Sequence, residues 1–268
     1  MFTTLSHHLR LVIHFFNCTG IILLLTNCGT MSYSLEIPTS ETTLSECVIL
    51  LHGLGRTSDS MEEMQDHLID AGFHTVNVDY PSREKTIEQL ASEYIPPAIE
   101  KCSAYNPRKI HFVTHSLGGI IVRMALKDSK PLKMGRVVML SPPNKGSEVV
   151  DELKDRWYFS WYNGPAGLQL STAKDSVPNQ LGPVNYPVGV ITGNTQAFFD
   201  YWLVPFFQGS NDGKVSVERS KVEGMKDFVV VQESHPFIMN SEIVQLETIQ
   251  FLKEGTFSHG RAKEKISN

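Results

Sequence analysis

The stretch "HFVTHSLGGIIVR", residues 111–123, joins a run of apolar and β-branched residues to a run whose apolar residues have helical spacing. A single serine, Ser116, lies at the junction, and Gly118 and Gly119 follow it closely. Small residues are needed where a strand turns sharply into a helix that packs against it. This stretch therefore predicts a buried strand, a tight turn that carries Ser116, and a helix.

The rest of the chain repeats this alternation of strand and helix patterns. The strand-like segments are "CVILLHG" (47–53), "HTVNVDYP" (74–81), "KIHFVTH" (109–115), "RVVMLSP" (136–142), "YPVGVITG" (186–193) and "DFVVVQES" (227–234). Short apolar strands that alternate with helices are typical of parallel β-α-β units covered on both faces. We therefore predict an α/β fold with a doubly wound, mostly parallel sheet of about six strands.

Two features refine this prediction. Ser60 with Glu63, and Thr86 with Gln89, match the capping box that marks the start of a helix. The segment at 143–185, after the fourth strand, is too long for an ordinary connection. We predict an insertion there that serves as a cap or lid over one end of the sheet.

The amino-terminal segment has a different character. After Arg10 comes "LVIHFFNCTGIILLLTNC", an apolar run with the length of a signal peptide or short membrane anchor. Its last residues, "LTNC", resemble a bacterial lipobox, which implies lipid on Cys28 and an exported or membrane-anchored protein. Alternatively, translation starts at Met31 and the protein is cytoplasmic.

These patterns divide the chain into segments. We predict a signal peptide or membrane anchor over 1–28, a linker over 29–44, one domain over 45–255 and a polar tail over 256–268. One α/β domain of that length is common.

Composition excludes some functions. With 41% hydrophobic residues, 20% charged residues and a net charge of −5, the chain has no basic footprint for nucleic acid. Of its four cysteines only Cys47 and Cys102 lie in the predicted domain, where we expect core thiols and no disulfide scaffold. No metal site or cofactor is predicted, and the oligomeric state is left open.

Polar residues follow several of the predicted strands. Ser116 follows the third strand, Asp212 lies in the loop after the fifth, and His235 follows the sixth. Ligands bind beyond the carboxyl ends of the strands in such sheets, so these side chains are expected at one edge. A serine hydroxyl becomes a nucleophile when a histidine takes its proton and an acid orients that histidine.

Four segments in order carry a family resemblance: "LLHGLG" (50–55), "THSLGG" (114–119), "NDGKVSVE" (211–218) and "SHPFIM" (234–239). Together they resemble the α/β-hydrolase superfamily of the serine lipase and esterase type. The likeness is to compact bacterial lipases and to lipases similar to GPI inositol-deacylases, and it extends from about residue 47 to 255.

The resemblance implies a role for each residue. Ser116 is the nucleophile, His235 the general base and then acid, and Asp212 the orienting acid. The backbone N–H groups of Leu54 and Leu117 form the oxyanion hole. Thr114 departs from the G-x-S-x-G pattern, which has glycine at that position.

Simpler interpretations exist for two of these residues. Ser116 can be an ordinary cap of the helix that follows it. Asp212 precedes Gly213 in a common turn pair, and Asp200 is the nearest rival for the role of the acid. Among the other histidines, His52 is expected to support the oxyanion turn.

The predicted function is hydrolysis of carboxylic esters through an acyl-enzyme. Aromatic segments at 157–162 and 198–207 suit an apolar or lipidic acyl group, so the expected partner is a small-molecule or lipid ester. An acyltransferase or thioesterase with the same triad is an alternative. A non-catalytic binding protein with this fold is another, since fold alone does not fix function.

Overall fold

A computed structural model of the chain describes residues 45–259. In that range six parallel strands form one sheet in the order β2-β1-β3-β4-β5-β6, which confirms the predicted α/β-hydrolase architecture. The strands are β1 (Cys47–Leu51), β2 (His74–Val78), β3 (Ile110–His115), β4 (Met134–Leu140), β5 (Val188–Gly193) and β6 (Asp227–Val231). The predicted leader, the linker and most of the predicted tail lie outside the described residues.

Eight α-helices connect and cover the strands within residues 45–259. They are α1 (Glu62–Asp70), α2 (Ile87–Ser103), α3 (Leu117–Ala125), α4 (Glu148–Leu153), α5 (Trp157–Leu168), α6 (Val177–Gln180), α7 (Val217–Ser220) and α8 (Glu242–Glu254). Short 3₁₀ helices cover Ser58–Met61, Phe198–Phe206 and Ile238–Asn240. None of the helices in this part of the chain is long and apolar enough to cross a membrane.

The sheet buries both of its faces, because side chains alternate along each strand. In β1, Ile49 and Leu51 pack into the cluster that contains apolar residues of α2 and α3. Val48 and Leu50 pack into the other cluster, with residues of α1 and α8. This two-sided burial explains why β1 is wholly apolar in sequence.

Cys47 and Cys102 form a disulfide, so the prediction of two free core thiols was wrong. Both residues are fully buried, as expected, and their Cα atoms are 5.9 Å apart. Helix α2 runs back along the sheet after β2, which brings its last turn to the start of β1. A sequence separation of 55 residues gives no sign of this proximity.

The two predicted capping boxes have different outcomes. At α2 the hydroxyl of Thr86 accepts the N–H of Gln89, and the Gln89 side chain accepts the N–H of Thr86, which confirms the box. The box at Ser60 was wrong. A 3₁₀ turn precedes α1, and the Ser60 hydroxyl instead donates to the carbonyl of Thr57 at 2.8 Å.

The strand order places the ligand crevice. The chain passes from β1 to β2 on one side and then crosses to β3 on the other side of β1. Ligands bind at the carboxyl ends of the strands where the direction of winding reverses. Here those ends carry the turn at residues 52–55 after β1 and Ser116 after β3.

Three helices, α4, α5 and α6, lie between β4 and β5 in the segment predicted as an insertion. Helix α5 is interrupted at Gly164, whose φ is 63°. A Cβ there would lie 1.7 Å from the carbonyl oxygen of Arg83, so only glycine allows this approach. That the segment acts as a cap or lid stays a prediction.

Candidate active site

Ser116 occupies a strained turn between β3 and α3, with φ 51° and ψ −118°. Residues other than glycine seldom adopt a positive φ, and such strain is concentrated at functional sites. The Ser116 N–H donates to the carbonyl of Leu140 at 2.8 Å, and the Ser116 carbonyl accepts the N–H of Gly119 at 3.0 Å. Its side chain makes no capping hydrogen bond to α3, so the hydroxyl does not serve as a helix cap.

Gly118 allows α3 to pack against the end of β1. A Cβ on Gly118 would lie 2.8 Å from the carbonyl oxygen of His52 and 2.9 Å from that of Leu51. Those neighbours are backbone atoms, which cannot move aside as a flexible side chain can. The turn that carries Ser116 therefore requires glycine here.

Thr114 is accommodated although the elbow pattern has glycine at its position. Its side chain is fully buried, and Oγ1 reaches the carbonyl oxygen of Val138 at 3.5 Å. A Cβ on Gly119 would lie 3.3 Å from Thr114 Oγ1. The space that Thr114 fills on the strand side is thus left free by Gly119 on the helix side.

The imidazole of His235 connects Ser116 to Asp212. Its Nδ1 is 2.8 Å from Asp212 Oδ2, and its Nε2 is 3.0 Å from Ser116 Oγ. Because the carboxylate accepts the proton on Nδ1, the lone pair of neutral His235 lies on Nε2 and faces the hydroxyl. The structure thus brings together the three residues that the sequence singled out, in a geometry that can remove the proton of Ser116.

Asp212 is fully buried and held by several donors. Its Oδ1 accepts the N–H groups of Lys214 at 3.0 Å and Val215 at 2.8 Å. Burial alone would raise the pKa of Asp212, but the charge and hydrogen bond of His235, with hydrogen bonds from Ser141 and Lys214, lower that pKa below its ordinary value. The carboxylate is therefore ionised and suited to orient the imidazole.

Asp200, the rival for this role, pairs with a different residue. Its Oδ1 is 2.6 Å from Nζ of Lys214. Its Oδ2 has no hydrogen-bond partner within the part of the chain that the structure describes. Of the two carboxylates, Asp212 is the one that contacts His235.

His115 contacts His235 from another side, a relationship that the sequence did not indicate. Its Nε2 donates to the carbonyl oxygen of His235 at 3.0 Å, and the two rings have centroids 4.9 Å apart. Burial, with the nearby charge of His235, keeps the pKa of His115 well below its ordinary value, so the ring is neutral. His115 therefore acts as a fixed donor beneath the His235 loop.

Ser141 was also missed, although it directly follows β4 at the same edge of the sheet. It has φ 47°, accepts the N–H of Gly193 at 3.4 Å, and hydrogen-bonds to the carboxylate of Asp212. Its place after a strand is the signal that identifies it. Ser141 thus helps to fix the acid.

The buried side chain of Arg123 holds the loop at Asn144, a residue to which no sequence pattern assigns a role. Nη1 of Arg123 donates to the backbone carbonyl of Asn144 at 2.9 Å, and Nη2 donates to the carbonyls of Pro178 and Gly182 at 3.1 and 2.7 Å. These bonds tie the loop after β4 to the region of α6.

Leu54 and Leu117, the predicted oxyanion residues, flank the site. Leu117 begins α3, and Leu54 lies in the turn after β1. Neither backbone N–H donates to an acceptor among residues 45–259. Nδ1 of His52 lies 2.9 Å from the carbonyl oxygen of Gly53, which fixes that turn and accords with the predicted support by His52. The N–H groups of Leu54 and Leu117 thus have no acceptor within the described part of the chain, and Leu54 lines the cavity described next.

A cavity of about 620 Å³ opens beside Ser116 and His235. Its apolar wall is built by α4, α5 and the 3₁₀ helix Phe198–Phe206. The wall includes Val149, Leu153, Phe159, Tyr162, Trp202 and Leu203. Both predicted aromatic segments contribute to it. The described residues contain no group of three or more His, Cys, Asp or Glu side chains placed to hold a metal ion.

Comparison with solved structures gives lipase-like neighbours. The mature lipase BlEst2 of Bacillus licheniformis superposes with a TM-score of 0.58 at 19% identity, covering 81% of this chain and 94% of that one. Phospholipase PlaB of Legionella pneumophila superposes with a TM-score of 0.60 at 18% identity, covering 83% of this chain and 58% of that one. Lipase B of Aspergillus fumigatus superposes with a TM-score of 0.57 at 17% identity, covering 78% of this chain and 53% of that one. At these identities the likeness concerns the fold.

Comparison by sequence gives the family. None of the curated proteins compared with the chain matches it. The family model described as "alpha/beta hydrolase fold" matches residues 46–187, which include β1 to β4 and the turn at Ser116. This match spans more than half of the chain, in agreement with the sheet topology and the resemblance found in the sequence. The chain belongs to the alpha/beta hydrolase fold family.

Proposed function

We propose that the protein is a serine hydrolase that cleaves carboxylic esters with apolar acyl groups. The observation that carries this proposal is the hydrogen-bonded series from Ser116 through His235 to Asp212, with steps of 3.0 and 2.8 Å. These distances lie within the range needed for proton transfer between a nucleophile, a base and its orienting acid.

The first half of the reaction forms an acyl-enzyme. Ser116 Oγ attacks the ester carbonyl carbon while Nε2 of His235 takes the hydroxyl proton. The carbonyl oxygen becomes an oxyanion, which the N–H groups of Leu54 and Leu117 stabilise. The carbon–oxygen bond to the alcohol then breaks, and protonated His235 gives its proton to the departing alcohol oxygen.

The second half releases the acid. Water attacks the acyl carbon and gives a proton to His235, and a second oxyanion forms in the same place. Collapse of this intermediate breaks the bond to Ser116 Oγ, which recovers its proton from His235. Asp212 stays ionised throughout and stabilises the imidazolium, in accord with its lowered pKa.

The shape and chemistry of the cavity favour an apolar acyl group. Aliphatic and aromatic side chains of α4, α5 and the 3₁₀ helix Phe198–Phe206 line one part of its wall. Burying each methylene of an acyl chain there contributes about 0.8 kcal/mol. The lipase and phospholipase names of the structural neighbours favour a lipidic ester as well.

A fluorophosphonate probe tests the nucleophile. The wild-type protein should be labelled and should hydrolyse p-nitrophenyl esters, with higher kcat/KM for longer acyl chains. Ser116→Ala should abolish both properties without loss of the circular dichroism spectrum, whereas the exposed Ser92→Ala should retain both. A folded wild-type protein that is not labelled would indicate a binding protein instead.

We also propose that the protein is exported. The support is the Cys47–Cys102 disulfide together with the apolar leader over 1–28, because disulfides persist mainly in oxidising compartments. The full-length protein should fractionate with the membrane or exported proteins, and Cys28→Ala should release it if that residue carries lipid. A cytoplasmic product that begins at Met31 would contradict export.

A further inference from the structure

Arg56 places a positive charge in the cavity beside Ser116 and His235. Its Nη2 donates to the carbonyl oxygen of Pro236 at 3.0 Å. Among residues 45–259 no carboxylate forms an ion pair with Arg56, whereas Arg108 and Arg219 each pair with a glutamate at 2.8 and 2.9 Å. A guanidinium carries five N–H donors, so most of its hydrogen-bonding capacity remains for a ligand.

The charge of Arg56 is not balanced within the cavity. The part of the wall formed by the described residues contains Arg56 and Lys214 but no aspartate or glutamate. Lys214 has its own partner, since Asp200 lies behind it at 2.6 Å. A guanidinium that faces an apolar cavity without a counter-ion attracts an anionic group of the ligand.

The position of Arg56 indicates which part of an ester it meets. The alcohol oxygen must lie close to Nε2 of His235, because it receives its proton from that atom. Arg56 is bonded to Pro236, the residue after His235, and therefore lies on the same side as the departing alcohol. The apolar wall of α4, α5 and the 3₁₀ helix Phe198–Phe206 is left for the acyl chain.

We infer that the site selects esters whose alcohol carries an anionic group, with Arg56 as the residue that binds it. A phosphate monoester fits best, because the planar guanidinium binds two phosphate oxygens at once. This inference rests on the proposed ester hydrolysis and specifies its substrate class: acyl esters of a phosphorylated polyol. Arg56 acts on the specificity of the reaction and takes no part in its chemical steps.

Two soluble esters with the same acyl group test the inference. Monobutyrylglycerol and butyrylglycerol phosphate share the scissile bond and differ in the phosphate, and a butyryl chain avoids aggregation. The wild-type protein should have a kcat/KM about tenfold higher for the phosphate ester, as one charge-assisted contact predicts. The difference should reside mainly in KM, since Arg56 binds the phosphate equally in the ground state and in the transition state.

Variants of Arg56 then show whether this residue causes the preference for the phosphate ester. Arg56→Gln should remove the preference for the phosphate ester, and Arg56→Lys, which keeps the charge, should retain part of it. The readout is the ratio of kcat/KM for the two esters. Any disturbance of His235 through the lost bond to Pro236 affects the hydrolysis of both esters equally. Arg83→Gln is the matched control. Its guanidinium is 5.3 Å from the ring centroid of Tyr162, outside the cavity wall, and the ratio should not change.

The outcomes separate the two proposals. If the folded wild-type protein hydrolyses neither ester nor any p-nitrophenyl ester, the proposed function fails and the inference fails with it. If the neutral and phosphate esters are both hydrolysed but Arg56→Gln leaves their ratio unchanged, ester hydrolysis stands and the role of Arg56 is overturned. Loss of the preference in Arg83→Gln to the same extent would likewise overturn it.

Discussion

Nε2 of His115 lies 3.0 Å from the backbone carbonyl oxygen of His235, so the residue before the nucleophile holds the loop of the base. His115→Phe keeps a ring of similar shape but removes the donor. We expect kcat for a short ester to fall about tenfold, because small displacements of a catalytic group are costly. KM should change little.

The comparison for His115→Phe is His67→Phe, which changes a half-buried side chain on α1. Both proteins should keep the wild-type circular dichroism spectrum, and only the first should lose activity. Unchanged kcat in His115→Phe would show that the hydrogen bond to His235 does not position it.

Asp212 and Asp200 are distinguished by the same substitution at each position. Asp212→Asn should lower kcat by several orders of magnitude, because an amide can hold the imidazole in the wrong tautomer and cannot stabilise its cation. Asp200→Asn removes an ion pair to Lys214 and should lower kcat much less. The measurement is kcat on a short ester, with folding checked by circular dichroism. A larger loss in folded Asp200→Asn would move the role of the acid to that residue.

Gly119→Ala should be less destabilising when Thr114 is made smaller. A Cβ on Gly119 would lie 3.3 Å from both Thr114 Oγ1 and Pro142 Cβ, closer than an ordinary contact. We expect Gly119→Ala to lower the free energy of unfolding by about 1–3 kcal/mol. Thr114→Ala in the same chain should recover part of that loss, which urea denaturation would measure as a coupling energy.

Gly118→Ala is the control for this pair, because its obstacles are the carbonyl oxygens of His52 and Leu51. Thr114→Ala should give no recovery there. Additive effects of the changes at Thr114 and Gly119 would mean that the two residues do not share space.

The buried imidazole of His111 should make the folded protein less stable in acid. Its Nδ1 accepts the N–H of Arg136 at 3.0 Å and its Nε2 is 3.1 Å from Glu46, while burial lowers the pKa of His111 to about 4. In the unfolded chain that pKa is about 6.5. Between these values the unfolded state binds more protons, so stability falls as the pH is lowered from about 6.5 to about 4.

We therefore expect His111→Gln to lose about 2 kcal/mol less of its unfolding free energy than the wild-type protein between pH 7 and pH 4.5, as measured by urea denaturation. The acid sensitivity should decrease without disappearing. Burial also lowers the pKa of His52 and His115, and both histidines remain. Equal losses in the two proteins would show that His111 does not titrate within this range.

Strand ends made the candidate site predictable. Ser116, Asp212 and His235 each follow a strand that the pattern of apolar residues locates, and parallel strands bring their carboxyl ends to one edge. The roles of His115 and Ser141 depend on which distant atoms their side chains reach, and no spacing in the sequence encodes that. Arg56 lies in a turn after β1, where its sequence context is that of any exposed arginine.

In the fold, too, contacts within one turn of helix could be predicted from the sequence, whereas contacts between distant segments could not. The box at Thr86 and Gln89 formed because both partners lie within one helical turn. The bond between Cys47 and Cys102 could not be foreseen, since it depends on how far α2 travels back along the sheet. The hydroxyl of Ser60 could accept the N–H of Glu63 or donate to the carbonyl of Thr57, and it donates to Thr57.

The shared space at Thr114 and Gly119 makes the order of substitutions in a lineage matter. In a chain with glycine at both positions, a side chain added at one of them does not meet a side chain at the other. Once threonine occupies position 114, a Cβ at 119 meets its Oγ1, and once alanine occupies position 119, threonine meets the same obstacle from the other side. Two lineages that start from the same turn can therefore diverge, because neither can add the other's side chain without first giving up its own.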